Sequence, residues 1–409
     1  MNKRMDRSRL NIGAYILQPY ARTEAHIRDV ADCGIDFIVC MNDDRPTLDL
    51  FHKYGVGAIV SGIVPGWWGG DGNNAGQLAE RNPIEKYESA AATYRDHPAI
   101  WAIDVGDEPS ALDFPHYGKV IDYVNRAFPN QFAYLNLYPN YASVSQNNAE
   151  ETVNQLGTPT YAEHIQRYCE CVPSDYLCYD FYLYSINVTK HYENLCTVAD
   201  ACRNTGRSMW IVLQVNSLDP NVWMSENNLR FQAYTSMAFG AENIIWGCYT
   251  AGWWHNEVLD TNGNKTQQYD KLKKINGEIR TIAGEYMKYR RVSTHFVGFA
   301  GHKDMEAVSQ APVESLSTGV FFDVKAEGGA PLVVGEMVSR SADGSVALMV
   351  CAADDPHEQD PKEYAVTFRA PDRNVRVLGG DGYKTVCSLG DGAYSVTVKS
   401  NEGILITAR

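Results

Sequence analysis

The segment HPAIWAIDVGDEPS, residues 97–110, is an apolar run that ends in Asp107, Glu108 and Pro109. Adjacent carboxyl groups at the end of a hydrophobic segment are an unfavourable way to build a surface turn. Carboxyl groups held in partly apolar surroundings can instead transfer protons at neutral pH. Pro109 predicts the end of a strand, because proline cannot donate a hydrogen bond to the ladder. The chemistry of this segment therefore depends on the elements that position it.

Short strand-like runs alternate with amphipathic segments eight times between residue 10 and about residue 290. Several of the helical segments end at a glycine, as helices commonly do, namely Gly34, Gly55, Gly206 and Gly240. Eight βα units over roughly 280 residues predict an α/β fold, the (β/α)8 TIM barrel. The sequence contains neither G-x-G-x-x-G nor a Walker sequence, which argues against a doubly wound nucleotide-binding sheet.

The pattern changes from about residue 292, where short strands follow one another between Gly, Asp, Asn and Pro turns. No segment with helical periodicity remains there, so we predict an all-β sandwich. The predicted domains are a catalytic barrel over residues 1–291 and an accessory β-sandwich over residues 292–409.

Alternation along each barrel strand predicts which side chains face the barrel interior, because the apolar row should face the helices. On the fourth strand this puts Trp101, Ile103, Val105 and also Asp107 outward. The predicted inward set is Asp104, Gly106 and Glu108 on strand four, Tyr134, Asn136 and Tyr138 on strand five, Cys178, Asp180 and Tyr182 on strand six, and Trp210 and Gln214 on strand seven. Its polar members gather towards the strand C-termini, where barrel enzymes place their active sites.

Paired tryptophans follow two of the predicted strands. Trp67 and Trp68 lie in a glycine-rich segment after the third strand, and Trp253 and Trp254 follow the eighth. Exposed indoles are costly without a ligand, and sugars stack on indole faces. We therefore expect one tryptophan of each pair to face the site.

Composition limits the classes of partner that the protein is expected to bind. A formal net charge of −14 argues against a nucleic-acid surface, and no apolar run is long enough to span a membrane. The N-terminal residues show no signal-peptide pattern, and the ten cysteines are scattered as in a reduced protein, which predicts a cytoplasmic location. His, Asp and Glu do not occur with metal-site spacing, so we expect no metal and no other cofactor. The sequence does not indicate an oligomeric state.

The stretch YRDHPAIWAIDVGDEP resembles the strand-four signature of the clan-A glycoside hydrolases, the cellulase-like and β-galactosidase-like barrels. The eight-unit layout and the C-terminal β-domain are also similar to that clan. The resemblance implies a hydrolase that cleaves a glycosidic bond of an oligo- or polysaccharide. It further implies that Glu108 is the general acid, and that Asp107 stands where the clan usually has Asn.

The sequence departs from the clan at the nucleophile, because Gln214 stands at the end of strand seven where the clan has a Glu. One alternative is that Asp180 acts as the base of an inverting enzyme, with Glu257 as a second candidate. Another is a substrate-assisted β-N-acetylhexosaminidase-like enzyme in which Asp107 orients the acetamido group. A third is a barrel that has lost catalysis and binds carbohydrate.

Overall fold

The computed structural model of the protein describes residues 4–42, 44–62, 74–91, 97–142, 155–299, 316–341, 343–357 and 359–409. Eight parallel strands close into a barrel in sequence order, which confirms the predicted fold class. The strands are β1 (Asn11–Tyr15), β2 (Phe37–Met41), β3 (Gly57–Val60), β4 (Ile100–Asp107), β5 (Phe132–Leu137), β6 (Tyr176–Phe181), β7 (Ser208–Gln214) and β8 (Ala241–Gly247).

Helices connect successive barrel strands, and local sequence sets their ends. A capping box starts the helix after Thr160, whose side chain accepts from the Glu163 backbone N–H while the Glu163 carboxylate accepts from the Thr160 N–H. Gly55 and Gly206 adopt left-handed conformations and end two helices, as predicted. The helices are α1 (Glu24–Asp32), α2 (Arg45–Tyr54), α3 (Leu78–Arg81), α4 (Ile84–Ala91), α5 (Phe114–Ala127), α6 (Tyr161–Cys171), α7 (Val188–Thr205), α8 (Glu226–Ala238) and α9 (Gln267–Tyr286).

The predicted alternation is confirmed for the regular parts of β5, β6 and β7. Their outward side chains pack in the layer between barrel and helices, namely Ala133, Leu135, Leu137, Leu177, Tyr179, Phe181, Ile211, Leu213 and Val215. The inward side chains fill the barrel interior as a second cluster, which includes Tyr134, Cys178, Trp210 and Val212. The prediction held there because β6 and β7 pair in one register and the extra residues at the neighbouring shifts lie on β4 and β8.

Strand β4 departs from the predicted alternation at two register shifts, one against β3 and one against β5. Trp101, predicted to face the helices, packs beside Phe37 of the barrel interior, with ring centroids 6.5 Å apart. Gly106, predicted inward, instead lies against Tyr117 of α5. Asp107, predicted outward, faces the mouth beside its partner Asn136. Each extra residue at a bulge exchanges the two faces of the strand, so these three orientations were wrong.

Two antiparallel sheets follow the barrel, which confirms the predicted β-sandwich. One has the order β10-β13-β17-β16 and the other β15-β14-β18-β12-β11-β9, and side chains of both form one core. The strands are β9 (Tyr289–Val297), β10 (Phe322–Ala326), β11 (Leu332–Ser339), β12 (Val346–Cys351), β13 (Glu363–Arg369), β14 (Val375–Gly379), β15 (Gly382–Tyr383), β16 (Cys387–Gly390), β17 (Ala393–Lys399) and β18 (Gly403–Ala408).

The sandwich packs directly on the barrel through α8. Gly335 of β11 lies so close to the carbonyl of Ala238 that no larger residue would fit there. Near the barrel mouth, the Tyr184 hydroxyl donates to the carbonyl of Pro356, at 3.2 Å. The sandwich therefore supports the helical layer of the barrel. Within the described residues, no helix combines the length and apolarity that crossing a membrane requires.

Candidate active site

The C-terminal end of β4 carries a first carboxyl group just inside the barrel, Asp104. The Ser61 hydroxyl donates to one of its oxygens at 2.6 Å, and the backbone N–H of Gly106 donates to the other at 3.2 Å. Burial raises the pKa of Asp104 to about 7, against the opposing effect of the Ser61 hydrogen bond. This carboxyl is therefore partly protonated near neutral pH.

Asn136 of β5 joins two further carboxyl groups. Its Nδ2 donates to Asp180 of β6 at 2.8 Å and to Asp107 of β4 at 3.2 Å. Asn136 and Asp180 are buried, whereas Asp107 is open to solvent on one side. Loss of hydration raises the pKa of Asp180 to about 7, and the nearby Asp107 charge adds to that effect. The pKa of Asp107 rises to about 6, again mainly through loss of hydration.

Glu108 directly follows the last residue of β4. Its backbone N–H donates to the carbonyl of Asn136 at 2.9 Å, and its φ of 42° lies in the left-handed region. A non-glycine residue in that region costs on the order of 1 kcal/mol, and such residues cluster at functional sites. The Glu108 side chain is half-buried at the barrel mouth.

Tyr141 lies in the segment after β5 and packs on Phe181 of β6, with ring centroids 5.4 Å apart. Burial raises the pKa of its hydroxyl, and the charges of Asp180 and Glu108 raise it further. The Tyr141 phenol is therefore neutral at physiological pH and can donate a hydrogen bond. Sequence reasoning missed Tyr141, because it follows the strand and has no place in the alternation pattern. Its only signal was its position just after an inward-facing strand end.

Aromatic rings cover the mouth beside these acids. Burial raises the pKa of the Tyr182 hydroxyl, and the charge of Asp180 raises it further. The Tyr182 ring lies edge-on to that of Trp254, with 4.4 Å between ring centroids. Trp253 packs on Tyr15 and on Tyr182, at 5.9 and 6.2 Å between centroids, yet 43% of its surface is exposed. Both tryptophans after the eighth strand therefore lie at the mouth, and Trp253 presents the open face. Trp67 lies outside the described residues.

Of two other predicted residues, one lies away from the mouth and one already makes hydrogen bonds within the protein. Tyr138, predicted inward, packs instead on His164 of α6, with ring centroids 6.3 Å apart. The buried amide of Gln214 donates to Ser185 and to the carbonyl of Asn216, and accepts from the Tyr184 N–H at 3.0 Å. Gln214 therefore fastens β7 to the turn after β6.

Glu257 is half-buried in the segment after β8. Its carbonyl accepts from the Thr266 hydroxyl at 2.7 Å. Burial raises the pKa of the Cys248 thiol, and the charge of the Glu257 carboxylate raises it further. Its proposed role as a substitute nucleophile stays a prediction.

A chain of buried polar groups supports Asn136 from below. The Tyr15 and Tyr134 hydroxyls lie 2.7 Å apart, and Tyr134 lies 3.5 Å from the sulfur of Cys178. The Cys178 thiol in turn donates to Oδ1 of Asn136 at 3.4 Å. This contact fixes the amide so that its N–H groups point at the two aspartates. Across the described ranges, no group of three or more His, Cys, Asp or Glu is arranged to hold a metal ion.

No protein-family model matches the sequence, and no curated protein matches it. Solved structures are similar in fold, among them a cycloisomaltooligosaccharide glucanotransferase of Paenibacillus sp., with a TM-score of 0.56 and 9% identity over 98% of this chain and 85% of that chain. A glucosidase from Croceicoccus marinus matches with a TM-score of 0.46 and 9% identity over 98% of this chain and 96% of that one. At this identity the likeness to the glucanotransferase shows a shared fold.

Proposed function

We propose that the protein is a glycoside hydrolase that binds carbohydrate at the C-terminal mouth of the barrel and uses Glu108 as its general acid. The observation that carries this proposal is the amide of Asn136 holding Asp107 and Asp180 at the strand ends, with Glu108 directly after β4 and the exposed face of Trp253 at the same mouth. Cleavage of a glycosidic bond needs two carboxyl groups on opposite sides of the anomeric carbon and a surface that holds the sugar ring.

In the proposed reaction Glu108 protonates the leaving oxygen while Asp180 removes a proton from the attacking water. The hydrogen bond from Asn136 favours the charged form of Asp180, and burial favours the neutral form. The opposing effects keep Asp180 near its midpoint at neutral pH, which suits a general base. With Gln214 already engaged in protein hydrogen bonds, this arrangement supports an inverting mechanism.

The inward orientation of Asp107 favours one second candidate, the substrate-assisted β-N-acetylhexosaminidase. In that reaction the 2-acetamido oxygen of the sugar attacks the anomeric carbon, and a neighbouring carboxylate orients the acetamido N–H. Asp107 is solvent-open and faces the mouth beside Asn136, as that role requires. No protein nucleophile is then needed in place of Gln214.

The stereochemistry of the first product separates the two mechanisms. We expect NMR in the first minutes of hydrolysis to show the anomer opposite to that of the substrate. Retained configuration together with a strict need for a 2-acetamido group would establish the second candidate instead. Retention on a 2-hydroxyl sugar would contradict both, and would direct attention to Glu257.

Replacement of Glu108 tests the general acid. Glu108→Gln should slow hydrolysis of an unactivated glycoside by about 10² to 10⁴-fold, because only poor leaving groups need protonation. An aryl glycoside with a good leaving group should lose much less. The matched control is Glu170→Gln, an exposed substitution on α6. Near-normal activity of Glu108→Gln on the unactivated substrate would show that the assignment is wrong.

A further inference from the structure

Acidic residues dominate the segments that connect each barrel strand to the following helix, which are the segments at the mouth. Among the described residues, these segments hold six acidic residues between the observed strand and helix bounds, namely Asp44, Glu108, Asp113, Asp219, Glu257 and Asp260. They hold two basic residues, Arg22 and Lys265. Asp104, Asp107 and Asp180 add to this negative charge from the strands themselves.

Both basic residues are engaged in protein contacts. Arg22 donates to the carbonyl of Leu17 at 2.8 Å and lies 3.6 Å from Asp44. Lys265 lies 2.7 Å from Asp29 of α1 and 4.2 Å from the ring of Tyr269. Neither is therefore available as a counter-ion for an anionic sugar.

The opposite end of the barrel has the reverse character. Arginines gather there around a depression between the barrel and the sandwich, among them Arg7, Arg207, Arg291 and Arg340. Acidic partners are present as well, since Arg7 pairs with Asp175 and Arg340 with Glu242. The mouth therefore carries an excess of acidic residues that the opposite end does not, and its field would repel anions and attract cations.

From this polarity we propose that the substrate is an amino-sugar glycoside with a free, protonated amine. The inference rests on the proposed function and names its substrate class. Within the part of the chain that the structure describes, no Lys, Arg or His pairs with Asp104, Asp107 or Asp180. A carboxylate shielded from water without a cation is costly, and a substrate ammonium would offset that cost. The open face of Trp253 holds the sugar ring.

The proposal is tested with four glycosides that share the same leaving group. Their glycones are the 2-amino, 2-hydroxyl, 2-acetamido and uronic acid forms of one sugar. The set is assayed in the gluco, galacto and manno series, with both anomers of each. We expect kcat/KM for the amino form to exceed that of the 2-hydroxyl form by at least about tenfold at low salt, and the ratio to fall as salt rises. The uronic acid form should be the poorest.

A 2-hydroxyl, 2-acetamido or uronic acid form that equals or exceeds the amino form would overturn the proposal while leaving the hydrolase intact. If no glycoside is cleaved, the proposed function fails, and the substrate class is then tested by binding alone. Calorimetry on wild-type protein should show tighter binding of chitosan oligosaccharides than of cello-oligosaccharides at low salt. Equal binding of the two would reject the preference for the amine.

A matched pair of surface substitutions locates the charge responsible. Asp219→Asn neutralises an exposed acid after β7 and retains an oxygen to accept from the Asn221 N–H, now at 2.8 Å. We expect it to lower the amine preference about twofold at low salt, as a charge roughly 10 Å away in water would. Asp175→Asn, before β6 at the opposite end, should leave the preference unchanged. Equal effects of the two would contradict a local field at the mouth.

Discussion

Strands β4 and β6 both supply carboxyl groups to the mouth of the barrel, but in different ways. β6 pairs with β7 in one unbroken register and presents a single buried acid, Asp180. β4 has two register shifts and directs both Asp104 and Asp107 inward, and Glu108 follows directly after the strand. An unbroken strand would have directed two of every four successive side chains towards the helices.

The difference affects hydration as well as direction. The regular strand holds Asp180 among packed side chains, where water is excluded. The irregular strand leaves Asp107 open on one side and holds Glu108 in a left-handed conformation. Burial raises the pKa of Asp104 on β4 as it does that of Asp180 on β6, so the broken pairing differs mainly in leaving Asp107 within reach of a ligand. The predictions below test each half of this contrast.

The largest effect is expected from the buried acid of β6. A carboxyl with a raised pKa in the folded state binds its proton more tightly than in the unfolded state. Its contribution to stability is therefore present at low pH and is lost as the pH rises from about 4 through the folded pKa of about 7. Asp180→Asn removes this loss, so the variant should exceed wild type by about 4 kcal/mol at pH 8, because the pKa differs by about three units between the folded and unfolded states.

The matched variant on β4 is Asp107→Asn. Because solvent reaches Asp107, its pH-dependent gain should be clearly smaller than that of Asp180→Asn. Urea unfolding at pH 4 and pH 8 measures both, and at pH 4 each variant should differ little from wild type through this effect. A larger gain for Asp107→Asn would show that the irregular strand holds the more dehydrated acid, against the contrast drawn between the strands.

The next effect concerns the bulge of β4 itself. A Cβ at Gly106 would lie 2.0 Å from the hydroxyl oxygen of Tyr117, which is fully buried on α5. We expect Gly106→Ala to destabilise the protein by about 1–3 kcal/mol and to lower activity at least tenfold, because Glu108 follows two residues later.

Gly277→Ala in α9 is the control, since nothing lies within 4 Å of the added Cβ. That variant should gain about 0.5–1 kcal/mol through helix propensity, with activity unchanged. Thermal unfolding and initial rates measure both variants. If Gly106→Ala kept full activity, the bulge would not be needed to position the acids.

Sequence alone predicted the part of the site that depends on regular pairing. The alternation in LCYDF identified Asp180, and YLN identified Asn136, because β6 pairs with β7 in one register and β5 itself carries no extra residue. It failed for Asp107, since a bulge depends on how two strands pair and not on the apolar pattern of one. It also failed for Tyr138, one residue beyond the end of β5, where the chain leaves the strand conformation.

The hydrogen bonds of the Gln214 amide could not be predicted from the sequence, for a related reason. Its partners Ser185 and Tyr184 lie in the turn after β6, about 30 residues away in the chain. A contact of that kind follows from the closed barrel and leaves no local pattern. The fold class followed from eight repeated units, whereas the hydrogen-bond partners followed from packing between units.

The smallest expected effect concerns the support beneath Asn136. Cys178→Ala removes the thiol that donates to Oδ1 of Asn136, at 3.4 Å in the wild type. The amide is then less firmly held with its N–H groups on the aspartates, and those hydrogen bonds favour the charged carboxylates. The midpoint of the pH–activity profile that reports on Asp180 should therefore rise by a few tenths of a pH unit.

Cys202→Ala separates this positioning role from simple loss of packing. Cys202 is also a buried thiol, and it donates to the carbonyl of Ser208 at 3.8 Å in the layer between barrel and helices. Both alanine variants should lose about 1 kcal/mol of stability. The pH midpoint should move in Cys178→Ala alone, and Cys178→Ser should restore it, because a hydroxyl donates to Asn136 as the thiol does. Equal midpoint shifts in both alanine variants, or no restoration by serine, would show that Cys178 contributes only packing in the barrel interior. The regular strand β6 would then supply one carboxyl group to the site and no control over its ionisation.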